Sequence, residues 1–129
     1  MSAVGVIYVK DLDKMSAFYE QCLGFATVEG GDRYRVLAAE QWTLSLVRAA
    51  EELWATIEIS APARRRTEVP IKLGFAVRSI EEIRAGAEAL GGYIDPPDTA
   101  WDFRDFRRCD GVDPEGNVIQ LLEPLSAQA

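Results

Sequence analysis

Residues 4–25 read VGVIYVKDLDKMSAFYEQCLGF, and residues 72–93 read KLGFAVRSIEEIRAGAEALGGY. Each stretch begins with a short β-prone run, continues through a polar capping residue into an amphipathic segment, and reaches glycine, which predicts a strand, a helix and a helix stop. The two copies match at a constant separation of 68 residues, so that Gly24 and Gly92 occupy equivalent positions. The chain therefore contains one strand-helix unit twice.

Shorter extended segments follow each copy. Alternating side chains and tight turns predict three strands after the first copy, at about 25–29, 33–38 and 42–48. Weaker alternation in residues 54–59 predicts a further edge strand. After the second copy we expect strands at about 103–112 and 118–123, joined by a turn at 113–117.

These elements predict a single α+β domain over residues 1–129. Its parts are a first βαβββ module, a linker and a second βαβββ module, at 4–49, 50–69 and 70–124. If Gln120 is the counterpart of Ser45, the second module is seven residues longer than the first. We place this insertion in residues 95–101, where a lid or a binding loop would fit.

Composition narrows the classes of partner. The chain has 14 basic and 21 acidic residues and a net charge of −7, which disfavours nucleic acid. No apolar run reaches the roughly 20 residues of a membrane span, and no signal peptide pattern is present, so we expect a cytoplasmic protein without a membrane partner. The two cysteines fit free thiols in a reducing compartment.

Histidine is absent from the sequence. Its absence excludes Ser-His-Asp and Cys-His catalysis within this chain, because both need an imidazole as the base. The sequence also lacks the glycine-rich loop that holds phosphates in P-loop and dinucleotide-binding proteins.

Three segments carry a family resemblance: VKDLDKMSAFYEQCLGF at 9–25, VRSIEEIRAGAEALGG at 77–92 and DPEGNVIQLLEP at 113–124. Together they resemble the vicinal oxygen chelate superfamily, which includes glyoxalases, bleomycin resistance proteins and extradiol dioxygenases. The resemblance extends over residues 4–124. It implies two βαβββ modules whose curved sheets form an incomplete barrel around a ligand cleft, commonly in a homodimer.

The resemblance also identifies the metal positions of the family. Metal-dependent members carry histidine or glutamate at four positions facing the cleft, and these fall here on Val4, Ser45, Lys72 and Gln120. Divalent metals need carboxylate, imidazole or thiolate donors, whereas valine offers none and a lysine ammonium repels the ion. We therefore expect no metal and no cofactor at these positions.

Strand parity places the same positions on one face of the sheets, with their neighbours two residues away. The candidate ligand-binding residues are Val4, Val6, Tyr8, Ser45, Lys72, Gln120 and, at the end of the insertion, Trp101. Lys72 and Tyr8 are also the candidate catalytic groups, as an acid or base. The alternatives are a solvent-facing lysine, an ordinary sheet-edge tyrosine and a Trp101 that packs or contacts a second copy.

Three other features have two interpretations each. Trp42 and Trp54 could stack on a ligand or simply pack. The arginines and aspartates between residues 102 and 110 could form surface pairs or bind a substrate. The DPEGN segment is interpreted as a hairpin turn.

The resemblance implies a metal-free small-molecule-binding protein that sequesters an antibiotic or another metabolite. The acidic net charge and the aromatic residues favour a cationic or aromatic ligand, and we expect a homodimer. The alternative is a glyoxalase-fold isomerase or lyase that uses Lys72 or Tyr8 as acid or base. A third possibility is a metal enzyme with ligands at Glu58, Asp110 or Glu123.

Overall fold

The computed structural model describes residues 3–40 and 42–125. The first module contains β1 (Ala3–Val9), α1 (Leu12–Ala17), β2 (Ala26–Gly30), β3 (Tyr34–Ala39) and β4 (Trp42–Arg48). These strands form a sheet in the order β1-β4-β3-β2, called sheet 1, in which β1 and β4 are parallel. The Asp11 side chain caps α1 as predicted, by accepting a 3.0 Å hydrogen bond from the Lys14 N–H.

A π-helical turn, Phe18–Cys22, continues α1. The adjacent residues Phe18 and Tyr19 are both fully buried. The wider π turn places both rings on the buried side. Gly24 then has a φ of 79°, in the left-handed region that terminates helices and that glycine adopts without strain.

The linker contains a short helix, α2 (Glu51–Trp54). The edge strand predicted at 54–59 is therefore wrong. The N–H groups of Thr56 and Ile57 donate to the carbonyls of Leu53 and Trp54, so this backbone is used in local turns. The indole N–H of Trp54 donates to the Lys10 carbonyl at 2.8 Å and fastens the segment to the end of β1.

The second module repeats the first. Its elements are β5 (Leu73–Ala76), α3 (Ile80–Ala87), β6 (Tyr93–Ile94), β7 (Trp101–Phe103), β8 (Phe106–Val112) and β9 (Val118–Pro124). They form sheet 2 in the order β5-β9-β8-β6, with β7 also paired to β8. Gly74 lies opposite Gln120 in the parallel pair β5–β9, just as Val6 lies opposite Ser45 in β1–β4. The equivalence of Ser45 and Gln120 inferred from the repeat is thus confirmed.

The insertion interrupts a strand. Both β6 and β7 pair with β8, and residues 95–100 leave the sheet between them through the 3-10 turn Pro97–Thr99. The prediction of a single strand at 103–112 is therefore wrong. Residues 101–103 form β7, and the chain reverses before β8. Arg104, with a φ of 50°, occupies that reversal.

One hydrophobic core joins the two modules. Residues from α1, α3 and both sheets form a single buried cluster that includes Leu44, Leu46, Phe75, Ile119 and Leu121. These strand residues alternate with the predicted ligand-facing positions, so they lie on the opposite face, which the helices cover. Both cysteines are buried free thiols. Among residues 3–40 and 42–125, no helix is long and apolar enough to cross a membrane.

Candidate functional site

Each sheet has an open face, which is the side opposite the shared core. The open face of sheet 1 carries Val4, Val6 and Tyr8 from β1, with 64%, 55% and 64% of their surfaces exposed. Ser45 lies between Val6 and Val36 in the sheet and is half-buried. Large apolar side chains are therefore left uncovered together along one strand, which is typical of a binding surface.

The open face of sheet 2 carries a polar network centred on Asp110. Its Oδ2 atom lies 2.7 Å from Lys72 Nζ, and its Oδ1 atom accepts a 3.1 Å hydrogen bond from Gln120 Nε2. Arg65 approaches the same carboxylate at 4.0 Å and pairs with Asp95 at 2.7 Å. The hydrogen bond to Asp95 raises the pKa of the Arg65 guanidinium. The network thus holds two of the predicted site residues, Lys72 and Gln120, in fixed positions.

Arg108 extends this network toward an aromatic surface. Its Nη1 atom donates to Gln120 Oε1 at 3.0 Å, and its Nε atom donates to the Phe103 carbonyl at 3.3 Å. Its guanidinium carbon lies 5.1 Å from the ring centre of Phe103 and 5.9 Å from that of Phe106. Both distances are within the range of cation–π attraction.

Trp101 lies at the margin of this surface. It pairs with Arg108 across β7 and β8, and 40% of its surface is exposed. It also lines a recess of about 410 Å³ with Arg84 and Pro97, next to the inserted residues 95–100.

The two sheets approach each other at their edge strands. A recess of about 360 Å³ is lined by Val6 and Tyr8 from sheet 1 and by Ile71 and Val118 from the second module. The recess therefore joins the open face of sheet 1 to the β5–β9 edge of the second module.

The two candidate catalytic residues lie in different surroundings. Lys72 donates to the Asp110 carboxylate, so its amine is engaged in an ion pair. Tyr8 is 64% exposed on the open face of sheet 1. No hydrogen bond joins Tyr8 to Lys72 or to Asp110 within residues 3–40 and 42–125. An acid and a base that act on one reacting atom would have to lie close together.

The donors at the four family metal positions do not suit a divalent ion. Val4 has no donor atom, the Lys72 ammonium is cationic, and the Gln120 amide is already shared between Asp110 and Arg108. Among residues 3–40 and 42–125, no three His, Cys, Asp or Glu side chains are grouped as a metal site would need. Asp110 and Glu123 lie at positions of opposite parity along adjacent strands, which separates them on the two faces of sheet 2.

The sequence interpretation missed the groups that complete this face. Asp110 and Arg108 were candidates for surface pairing, yet Asp110 pairs with Lys72 and Arg108 with Gln120, whereas Arg107 does pair with Asp102 at 3.1 Å. Side chains alternate between the two faces along β8, so the sequence could have predicted that Arg107 and Arg108 lie on opposite faces. Arg65 comes from the linker, and its position carries no periodic signal.

The two other tryptophans lie away from the open faces. The Trp42 ring packs 6.1 Å from Phe75 at the core. Trp54 lies beneath two cations, with Lys10 Nζ and Arg48 Cζ both 5.2 Å from its ring. Trp54 lines the cavity of about 700 Å³ beside α1, which contains none of the predicted ligand-binding residues.

The DPEGN segment does more than turn the chain. The buried Asp113 accepts hydrogen bonds from the Tyr19 hydroxyl and from Asn117, while Glu115 accepts from the backbone N–H groups of Lys10 and Asp11. Burial raises the pKa of both carboxyl groups. The interpretation as a hairpin turn alone is therefore incomplete, because the turn also ties the second module to the first.

Comparison with known proteins assigns the family. The model of the Glyoxalase/Bleomycin resistance protein/Dioxygenase superfamily matches residues 3–121, so the chain belongs to this superfamily. It is 26% identical to a bleomycin resistance protein of Geobacillus stearothermophilus over 136 aligned positions, covering 98% of this chain and 99% of the relative.

Two solved structures show the same fold. A glyoxalase/bleomycin resistance protein/dioxygenase family enzyme from Burkholderia phytofirmans PsJN has a TM-score of 0.71 at 22% identity, over 95% of this chain and 97% of that one. TnmS3, an antibiotic binding protein from Streptomyces sp. CB03234, has a TM-score of 0.62 at 21% identity, over 96% and 95%.

Proposed function

We propose that this protein binds a small molecule over its open faces and sequesters it without a metal. The observation that carries the proposal is the exposed row Val4, Val6 and Tyr8, which leaves apolar side chains uncovered on sheet 1 while the open face of sheet 2 carries a fixed polar network. A largely apolar surface with a few fixed polar groups is the usual composition of a small-molecule site. The bleomycin resistance relatives and the antibiotic-binding structural neighbour support the same class of ligand.

The ligand contacts follow from the two faces. Val4, Val6 and Tyr8 would supply the apolar floor. Ser45, Lys72 and Gln120 would supply polar contacts, and Trp101 an aromatic margin. Metal independence is supported by the donors at the four family positions, which contain no carboxylate, imidazole or thiolate.

A homodimer would complete the site. The open face of sheet 1 is apolar and uncovered within one chain, while that of sheet 2 carries charged and aromatic groups. We propose that a second copy covers these faces and encloses the ligand between the two chains. Such a cover would remove the exposed valines from water, which favours association.

Isothermal titration of the purified protein against a panel of antibiotics that carry planar ring systems, including bleomycin and mitomycin C, tests the proposal. We expect saturable binding of at least one compound, which is then recovered chemically unchanged from the complex. The matched variants are Val6→Asp, which should abolish binding, and Leu53→Asp, which alters an exposed leucine on α2 away from the site. Absence of binding across the panel, together with no protection of cells that express the protein, would overturn the proposal.

The catalytic alternative makes a different prediction. An isomerase or lyase would convert its ligand, and the conversion would survive a chelator and disappear in Lys72→Met. The ion pair between Lys72 and Asp110 argues against Lys72 as the base, because a neighbouring carboxylate favours the ammonium form, which has no lone pair to accept a proton.

A further inference from the structure

One cation on the open face of sheet 2 has no carboxylate partner among the described residues. The ion pairs of this face join Lys72 and Arg65 to Asp110 and Asp95, while Arg108 takes part in none of the described pairs. Two cations and two carboxylates balance each other, which leaves the Arg108 guanidinium without an ion-pair partner in the described residues. Arg104, in the turn between β7 and β8, lies 5.8 Å from the Phe103 ring and takes part in none of the described ion pairs either.

The Arg108 guanidinium has a fixed orientation and one unused donor nitrogen. Hydrogen bonds to Gln120 and to the Phe103 carbonyl fix its plane, and Gln120 is fixed in turn by Asp110. Its Nη2 atom donates to no group in the part of the chain that the structure describes. A planar, fixed guanidinium with an unused donor is the group that proteins use for carboxylates.

Phe103 offers the adjoining aromatic surface. It is 55% exposed even though Arg108 lies over its ring. A ligand ring could therefore stack on Phe103 while an acidic substituent reaches Arg108.

The charge at Arg108 is opposite in sign to the overall charge of the chain. The chain carries −7 in total, which favours cations at long range. Salt screens such long-range effects beyond about 8 Å, whereas a contact with Arg108 is hardly screened. The contact on this face thus favours an anion.

We infer that the ligand is an aromatic acid whose carboxylate, or similar planar anionic group, binds Arg108 while its ring lies against Phe103. This inference rests on the proposed function and specifies its ligand class. It replaces the cationic ligand expected from net charge and keeps the aromatic one.

Titration calorimetry with three probes of one shape tests the inference: 2-naphthoate, 2-naphthamide and 2-naphthylmethylammonium. We expect 2-naphthoate to bind at least about tenfold more tightly than 2-naphthamide, because a charged hydrogen bond replaces a neutral one. The ammonium probe should bind most weakly.

Two arginine variants with the same change in net charge supply the control. Arg108→Gln should reduce the preference for naphthoate over naphthamide to less than about threefold. Arg107→Gln should retain it, because Arg107 pairs with Asp102 at positions of the other parity.

Each other outcome overturns the inference. Equal binding of the acid and the amide would overturn it and leave the proposed function standing. Equal loss of the preference in both variants would show a general effect of charge. Absence of binding by all three probes would also overturn the inference. The titrations with the antibiotic panel would still test the proposed function separately.

Discussion

The Tyr19 hydroxyl donates a 2.8 Å hydrogen bond to Oδ2 of Asp113, although the two residues are 94 positions apart. Tyr19 belongs to the helix of the first module and Asp113 to the last turn of the second. Both side chains are fully buried. This bond explains why the segments that carry the family resemblance, around Tyr19 and in DPEGN, occur together: each satisfies a buried polar group of the other.

Removing the Tyr19 hydroxyl should destabilise the fold. Tyr19→Phe leaves the ring in the core but takes one donor from a buried carboxylate, which we expect to lower the free energy of unfolding by about 1–3 kcal/mol. Urea unfolding followed by circular dichroism measures the change. The control is Tyr34→Phe, whose hydroxyl donates to Glu29 at the surface and whose loss should leave stability unchanged. Equal effects of the two substitutions would contradict the role assigned to Asp113.

The buried Asp113 predicts a specific dependence on pH. Burial raises the pKa of its carboxyl group in the folded state above the ordinary value for an aspartic acid. The folded protein therefore binds this proton more readily than the unfolded chain, so the contribution of Asp113 to stability falls as pH rises through the folded pKa. Glu115 acts in the same direction, since burial also raises its pKa.

Asp113→Asn removes this titration and reveals its sign. The variant loses hydrogen bonds at every pH, but its stability deficit relative to the native chain should grow as pH falls through the folded-state pKa toward the ordinary pKa of an aspartic acid. Unfolding free energies measured at several pH values give the deficit. A deficit that shrinks with falling pH would show that the pKa is lowered.

Replacing each of two glycines by alanine should change the free energy of unfolding in opposite directions. Gly116 has a φ of 86°, and a Cβ there would collide with the Arg64 carbonyl oxygen, so Gly116→Ala should cost about 1–3 kcal/mol. Gly86 lies within α3 with open space around it, and Gly86→Ala should add about 0.5–1 kcal/mol. Thermal unfolding of both variants tests the pair. Similar effects would contradict the backbone geometry of the DPEGN turn.

The proposed dimer predicts a change of mass. Val6→Asp places a charge on the face that a second copy would cover, and a charge buried without a partner is strongly unfavourable. Light scattering should give the native chain twice the monomer mass of 14.3 kDa and the variant the monomer mass. Leu53→Asp should remain dimeric. A native chain of 14.3 kDa would contradict the dimer.

The faces of the strands could be predicted because they depend on local periods. Strand residues alternate between two faces, so parity alone separated Leu44 and Leu46 from Ser45. The equivalence of Ser45 and Gln120, which the offset of 68 does not give by itself, is confirmed by the register of the two parallel strand pairs. The predicted helix caps Asp11 and Ser79 are likewise local, since each accepts from an N–H three residues away.

The missing parts depend on contacts between distant segments. Arg65 reaches Asp110 only because the linker follows a particular path, and the buried role of Asp113 requires Tyr19 from the other module. The segment 54–59 alternates like a strand, but Trp54 is held by Lys10 and the following backbone turns on itself. Tertiary contacts override local preference in such cases.

Methyl NMR during titration with a bound antibiotic from the panel tests the central claim most directly. Val4, Val6, Val36 and Val47 lie at open-face positions of sheet 1, whereas Val9 and Leu44 are buried in the core. We predict that saturating ligand shifts the methyl signals of the open-face valines and leaves those of Val9 and Leu44 nearly unchanged. Unchanged signals from Val6 and Val47, with shifts confined to the Trp54 cavity, would contradict binding at the open faces.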